Sequence, residues 1–263
     1  MKLTGWRRVA SAMWRAPQDP QIYGTIELEA APIARLVDDA RARGVHLTPT
    51  VVVGRAVAHA LAAVPELNVR IVGGHAIPRP SIDVFIIAAV GGGGDLSGVK
   101  VVDADKKHAI EIARELADRA GRMKRGDDPD FEKTKSIMEK LPMPLLRVAL
   151  RATSFAANTL DLDLPALGVH RAPFGSAMIT SVGMFGLPSG FAPIAWMYGV
   201  PLLVAVGQIC DRAVVEQGRV VVRSMLPLSA SIDHRYVDGW HISRAMAALR
   251  EYLAAPATFE RAA

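Results

Sequence analysis

The segment Ser229–His241 restricts the fold of this chain more than any other stretch, because it changes pattern abruptly in its middle. Between Leu226 and Asp233, apolar residues alternate with polar ones, which predicts a strand with one buried face. From Trp240 to Leu253, apolar residues recur at helical spacing. The pattern therefore predicts a strand, a turn at Asp238 and Gly239 and then a helix, with His234 at the end of the strand.

A histidine at such a junction is a candidate general base, since the pKa of a free imidazole lies near neutrality. A histidine that only satisfies packing in the core is the alternative for His234, and a helix N-cap is the alternative for Asp238. A metal site formed by His234, Asp238 and His241 would require one continuous helix. Gly239 and the strand pattern before His234 argue against that helix, so the sequence favours a site without metal.

The composition is compatible with a compact, globular enzyme. The chain has 263 residues, of which 51% are hydrophobic, so a single domain spanning residues 1–263 can bury a large core. Its one cysteine, Cys210, excludes an intrachain disulfide and is typical of a reducing compartment. The first residues contain no apolar stretch of the kind that a secretory signal needs. We therefore expect a cytoplasmic protein.

Several functional classes are disfavoured by the sequence. The net charge is +5, and basic residues are interleaved with acidic ones, so no nucleic-acid-binding stripe is indicated. The glycine run 91–94 is not a phosphate loop, because Val99 occupies the position of the required lysine. The apolar stretch 193–210 is broken by Gly199, Pro201 and Gly207, and within it residues 202–206 are typical of a buried strand rather than a membrane span.

The predicted order of elements mixes helices and strands without strict alternation, which favours an α+β two-layer sandwich. We predict helices at residues 6–16, 32–43, 49–64 and 106–124, and strands at 22–29, 69–72, 82–90 and 99–102.

Four stretches carry a resemblance to a known family. His-Arg-x-x-Asp-Gly at 234–239 resembles the active-site motif of the acyltransferase catalytic domain of 2-oxoacid dehydrogenase complexes. Residues 175–186 are similar to that family's strand with the catalytic serine, residues 56–68 to its helix ending Val-Pro-Glu-Leu-Asn, and residues 102–107 to its segment after a central turn. The resemblance implies the chloramphenicol acetyltransferase-like fold of coenzyme A-dependent acyltransferases.

The resemblance also implies a reaction and roles for residues. An acyl group moves between coenzyme A and a thiol, hydroxyl or amine acceptor, such as dihydrolipoamide on a separate protein, with His234 as general base. Thr180 falls on the position of the family's serine and would stabilise the oxyanion, with Ser181 as the reserve donor. Asp238, followed by Gly239, would form a salt bridge with Arg7 or Arg8. The protein would be a homotrimer with its sites between subunits.

Two departures from the family pattern qualify this expectation. A segment at about 127–174 contains an apparent insertion, Phe131 to Leu167, whose core at 137–155 is both apolar and basic. This core could lie on a membrane surface, cover the acceptor pocket or pack against a neighbouring subunit, and we favour packing against protein. No lipoyl domain precedes Lys2, so we expect a stand-alone catalytic domain whose partners are dehydrogenase components, a lipoyl protein or a small-molecule acceptor. A non-catalytic scaffold is the alternative.

Overall fold

The computed structural model describes residues 19–90, 95–124, 142–164 and 169–260. The helices are α1 (Ala31–Ala42), α2 (Pro49–Ala63), α3 (Ala109–Lys124), α4 (Met143–Ser154), α5 (Gly239–Ala254) and the short α6 (Pro256–Phe259). The strands are β1 (Gln21–Glu29), β2 (Val69–Val72), β3 (His75–Pro78), β4 (Val84–Val90), β5 (Asp95–Val101), β6 (Ala177–Ser181), β7 (Leu202–Val206), β8 (Cys210–Glu216) and β9 (Arg219–Asp233).

One mixed sheet organises the molecule. Its strands follow the order β1-β9-β7-β6-β4-β5, and β8 pairs with the first part of β9. Strands β4, β6 and β7 are parallel, whereas the other pairs in this sheet are antiparallel. Helices α1, α2, α3 and α5 supply apolar side chains to the main core on one face of the sheet. Sheet and helices form the predicted α+β layers.

The predicted strand before His234 is confirmed, but its polar face is not exposed. Ser229, Ser231 and Asp233 are as buried as the apolar residues between them. The Ser231 hydroxyl donates to the carbonyl of Ala192, 2.7 Å away. A second apolar cluster around Met178, Val200 and Leu203 covers this face, so both faces of the strand are shielded from water.

Two predicted boundaries were wrong, one at the glycine run and one at the start of α3. Strand β5 begins at Asp95 rather than at residue 99, because Val90 already pairs with Asp95. Gly98 therefore lies inside a strand, where a Cβ atom would come within 2.0 Å of the Phe85 ring. Helix α3 begins at Ala109 rather than at 106. Strands β3 and β8 were not predicted, and the helix predicted at 6–16 lies outside the described residues.

The start of α3 is capped from a distant part of the chain. The Glu260 carboxylate accepts a hydrogen bond from the Ala109 backbone N–H at 2.7 Å and another from the Tyr252 hydroxyl. The Arg55 guanidinium lies 3.8 Å from the same carboxylate and over the Tyr252 ring. Because these groups are buried, Glu260 joins α2, α3 and α5 through one polar cluster.

None of the helices in the described ranges combines the length and hydropathy that crossing a bilayer requires.

Candidate active site

His234 lies directly after β9, at the predicted strand end, with its side chain exposed. Its backbone N–H donates to the carbonyl of Pro20 at 2.9 Å, and its Nδ1 lies 2.6 Å from the carbonyl oxygen of Val237. A carbonyl oxygen can only accept, so Nδ1 carries the proton and the lone pair of the neutral ring is on Nε2. The local fold therefore leaves the lone pair on Nε2, as the base role requires, and the exposure of the ring argues against a core histidine.

Asp238 is the N-cap of α5, as the capping alternative predicted. Its carboxylate accepts from the backbone N–H groups of Trp240 and His241, at 3.0 and 3.2 Å. The His241 Nδ1 lies 2.7 Å from the same oxygen, and this side-chain contact is the main reason why the pKa of Asp238 is below its usual value. Asp238 thus fixes the start of the helix that follows the His234 turn.

The predicted partners of Asp238, Arg7 and Arg8, lie outside the described residues. The salt bridge between Asp238 and one of these arginines therefore stays a prediction. The continuous helix needed for a metal site is absent at this position, because β9 ends at Asp233 and α5 begins at Gly239. Within the described ranges, no group of three potential metal-binding side chains comes together.

Sequence reasoning missed an ion pair that holds the His234 turn. Arg235 donates through Nε to Asp233 Oδ1 at 3.0 Å and through a terminal nitrogen to Oδ2 at 2.6 Å. Asp233 is only 4% exposed, so the pair anchors the turn to the buried end of β9. The Asp-His-Arg order could have indicated this ion pair, because side chains two residues apart across a tight turn can come into contact.

Tyr236 connects this turn to a neighbouring loop. Its hydroxyl donates to the carbonyl of Gly199 at 3.4 Å, and the same carbonyl accepts from Arg79 at 2.6 Å. Burial raises the pKa of the Tyr236 phenol, so it remains a neutral donor at physiological pH. No local pattern in the sequence pointed to this contact, because Arg79 and Gly199 are far from the motif along the chain.

Thr180 and Ser181 lie at the end of β6, on opposite faces of the sheet. Ser181 lines a cleft of about 720 Å³ on the helical side, together with Gly183 and Gln208. Thr180 shares the other face with Met178 and is half-buried. The two candidate hydroxyl donors therefore lie on different faces of the same sheet.

A single chain does not bring Thr180 and His234 together. Thr180 pairs in register with Ala205, and Ala205 pairs with Ser229, which is five residues before His234. Two strand spacings across the sheet and five residues along β9 give a separation of about 19 Å. A base and an oxyanion donor for one carbonyl must each lie within about 3 Å of the reacting atoms. His234 and Thr180 of one chain cannot form one site.

A separate cleft of about 410 Å³ opens beside the His234 turn. The segment 194–200, the start of β1 and the Asp233–Arg235 ion pair line it. Both sequence neighbours of His234 line this cleft, whereas His234 and Thr180 do not.

Solved structures resemble the fold over nearly the whole chain. A probable dihydrolipoamide acetyltransferase from Listeria monocytogenes superposes with a TM-score of 0.66 at 22% identity, covering 97% of this chain and 93% of that one. A dihydrolipoamide acetyltransferase from Azotobacter vinelandii gives a TM-score of 0.65 at 18% identity, covering 92% and 84%. In that protein, the catalytic roles of a serine, a histidine and an asparagine were investigated, the asparagine lying four positions after the histidine. The predicted acyltransferase fold is confirmed.

Relatives by sequence match shorter stretches. The lipoamide acyltransferase component of a branched-chain α-keto acid dehydrogenase complex from Pseudomonas aeruginosa is 45% identical over 56 residues, which is 21% of this chain and 13% of the relative. The dihydrolipoyllysine-residue acetyltransferase component of a pyruvate dehydrogenase complex from Mycoplasma pneumoniae is 29% identical over 120 residues, 45% of this chain and 28% of the relative. The matched stretches thus span less than a third of these relatives.

A family model covers most of the chain. The model of the 2-oxoacid dehydrogenase acyltransferase catalytic domain matches residues 1–130 and 168–260, so the matched stretches flank the segment that we interpret as an insertion. The match includes the whole His234 motif and the strand with Thr180. On this evidence the chain belongs to the family of 2-oxoacid dehydrogenase acyltransferase catalytic domains.

Proposed function

We propose that this protein transfers an acyl group between coenzyme A and the thiol of a dihydrolipoamide group held by a separate protein. The orientation of His234 carries the proposal, because its Nδ1 proton is held by the Val237 carbonyl and its Nε2 faces outward as a base. A free thiol has a pKa of about 8.5 and is mostly protonated at neutral pH, so its attack on a thioester needs such a base.

The proposed reaction assigns one role to each candidate side chain. His234 Nε2 takes the proton of the acceptor thiol, and the thiolate attacks the carbonyl carbon of the acyl-coenzyme A thioester. The Thr180 hydroxyl donates to the oxyanion that forms. When the intermediate collapses, the carbon–sulfur bond to coenzyme A breaks, and the leaving thiolate takes the proton back from Nε2. No net proton or electron is gained or lost.

The site is shared between subunits of a homotrimer in this proposal. The separation of about 19 Å between His234 and Thr180 within a chain supports it, since the two groups can act on one carbonyl only if they come from different copies. Thr180 lies half-buried on the sheet face opposite the main helices, where a neighbouring copy can approach. Closed rings of identical subunits bring the same pair of surfaces together at each interface.

The test is turnover of acetyl-coenzyme A with free dihydrolipoamide, followed by chromatography of the remaining acetyl-coenzyme A. His234→Ala should lower the rate constant about 10²–10⁴-fold, which is the usual contribution of a general base. His75→Ala is the matched control, because His75 is also exposed and its Nδ1 also lies against a backbone carbonyl, at 3.0 Å.

A His234→Ala variant within about threefold of wild type would remove the assigned role, since a general base contributes far more than that. If the wild type binds acetyl-coenzyme A but transfers nothing to dihydrolipoamide, dithiothreitol or an amine, the scaffold alternative is correct.

A further inference from the structure

Helix α4 presents an apolar stripe to solvent. Leu145, Val148 and Ala152 of α4, and Phe155 in the helical turn directly after it, recur at spacings of three and four residues, so they lie on one face. The exposed fractions are 56% for Leu145, 63% for Val148 and 56% for Phe155, and no residue of α4 is buried. We call these four residues the α4 stripe. A helix whose larger side chains face water in this way is typical of an interaction surface.

The helix that carries the stripe has only positive charges. Arg147 and Arg151 are exposed beside the stripe, and α4 contains no Asp or Glu. A symmetric pair of α4 helices from two copies would bring four arginines together, which is unfavourable. The charges instead complement an acidic surface with an apolar patch at its centre.

A chain of contacts joins the segment that follows the stripe to the cleft beside the His234 turn. After α4, the Asn158 side-chain amide donates to the carbonyl of Met197 at 3.0 Å. Gly199 packs so closely on Asn158 that a Cβ atom there would lie 2.9 Å from the Asn158 side chain. Gly199 also lines the cleft and accepts the hydrogen bond from Tyr236, two residues after His234.

The same segment is a particular feature of this chain. Residues 131–167, which include α4, fall between the two stretches that the family model matches. Its end is nevertheless held firmly, because Asp161 lies 3.4 Å from Arg70 and 3.5 Å from Arg171. Segment 142–164 is thus fixed to the body of the protein at Asn158 and at Asp161, while the α4 stripe faces outward.

We infer that the α4 stripe docks the acidic carrier protein that brings the dihydrolipoamide acceptor to the cleft. The inference rests on the proposed function and names the surface that recognises the protein part of the acceptor. A carrier bound at α4 would place its thiol arm beside the segment 194–200. A lipid bilayer fits less well, because the three large apolar side chains of the stripe, on and directly after a helix of 12 residues, bury too little surface to hold a protein there.

The experiment compares two acceptors. One is free dihydrolipoamide, and the other is a recombinant, reduced lipoyl domain with a net negative charge. Val148→Asp and the double variant Arg147→Glu/Arg151→Glu should each raise the KM for the lipoyl domain about tenfold or more, as loss of central interface contacts does. Their kinetic constants with free dihydrolipoamide should match those of wild type. Arg43→Glu, an exposed charge reversal at the end of α1, is the control and should change neither.

The outcomes separate this inference from the proposed function. Wild-type activity with free dihydrolipoamide, combined with an unchanged KM for the lipoyl domain in all α4 variants, overturns the inference and leaves the function intact. Absence of turnover with both acceptors overturns the function, and titration of isotope-labelled lipoyl domain with wild type and Val148→Asp then still tests docking.

Two other occupants of the stripe are tested with Val148→Asp. Loss of binding to phosphatidylglycerol vesicles would assign the stripe to a membrane, and a smaller oligomer would assign it to a second copy; either result would overturn the inference. Circular dichroism confirms that each variant is folded.

Discussion

Coassembly of two inactive variants provides the sharpest test of the shared site. His234→Ala removes the base, and Thr180→Val removes the oxyanion donor while keeping the shape of the side chain. Each variant alone should retain less than about 1% of wild-type activity, from the usual contributions of a base and of one oxyanion donor. Because the two residues of one chain are about 19 Å apart, each defect lies in a different half of the site.

The recovered activity can be calculated from the assembly. In the proposed ring, every site takes His234 from one subunit and Thr180 from the next. When the two variants mix randomly in equal amounts, about one quarter of the interfaces receive an intact His234 and an intact Thr180. Purification of coexpressed variants through two different affinity tags removes the inactive homotrimers. Every remaining mixed trimer, of either composition, has one intact interface of three, so its activity should be about one third of wild type.

The assay is the consumption of acetyl-coenzyme A with free dihydrolipoamide. Wild type coexpressed with His234→Ala is the control for subunit mixing and should retain about half of the sites. If trimers that contain both variants are no more active than the two parents, His234 and Thr180 do not meet across an interface, and the shared site is wrong. Light scattering that shows a stable, active monomer would contradict the assembly itself.

Four further predictions follow from particular contacts. Thr180→Ser should keep most of the rate constant in the same assay, whereas Thr180→Ala should lose roughly 10²–10³-fold; equal rates would assign the oxyanion donor elsewhere, with Ser181 the first candidate. Asp238→Asn should keep the melting temperature because asparagine caps helices as well as aspartate, whereas Asp238→Ala should lower the free energy of unfolding by about 1 kcal/mol. Glu260→Ala should lower the free energy of unfolding in urea by about 3 kcal/mol, since it leaves Arg55 buried without its carboxylate, and a loss below about 1 kcal/mol would refute that role. Burial raises the pKa of Tyr252, so above about pH 10 the unfolded chain releases a proton that the folded chain keeps; stability should fall there with rising pH, and less steeply in Tyr252→Phe.

Local patterns explain what could be predicted at the site. The strand before His234, the turn and the cap at Asp238 depend on neighbours within a few residues, so period and capping rules locate them. The contacts of Gly199 with Arg79 and Tyr236 could not be predicted, because they join positions that are far apart in sequence. The resemblance predicted that Thr180 lies in a strand, but only the register of the sheet shows how far Thr180 is from His234.

The same distinction applies to the fold. The helices at 31–42 and 49–63 match their predicted spans closely, since both show continuous helical periodicity and a proline in the first turn. Strand β8 lacks such a signal, because it forms a projecting hairpin with β9 in which Val215, Val220 and Val222 are exposed. A strand acquires an alternating pattern because one of its faces is buried, and this hairpin has few buried side chains within the chain.

The link between Glu260 and the start of α3 also bears on how the protein is made. The two hydrogen-bonded positions are 151 residues apart, and a ribosome releases the chain from its N-terminus. Helix α3 therefore emerges long before the carboxylate that satisfies its first backbone N–H. Until Glu260 has left the exit tunnel, Arg55 also lacks its buried counter-charge. In a nascent or stalled chain, the Ala109 N–H and the Arg55 guanidinium consequently lack their partner between α2 and α3. Chaperones and proteases detect unsatisfied polar groups of this kind.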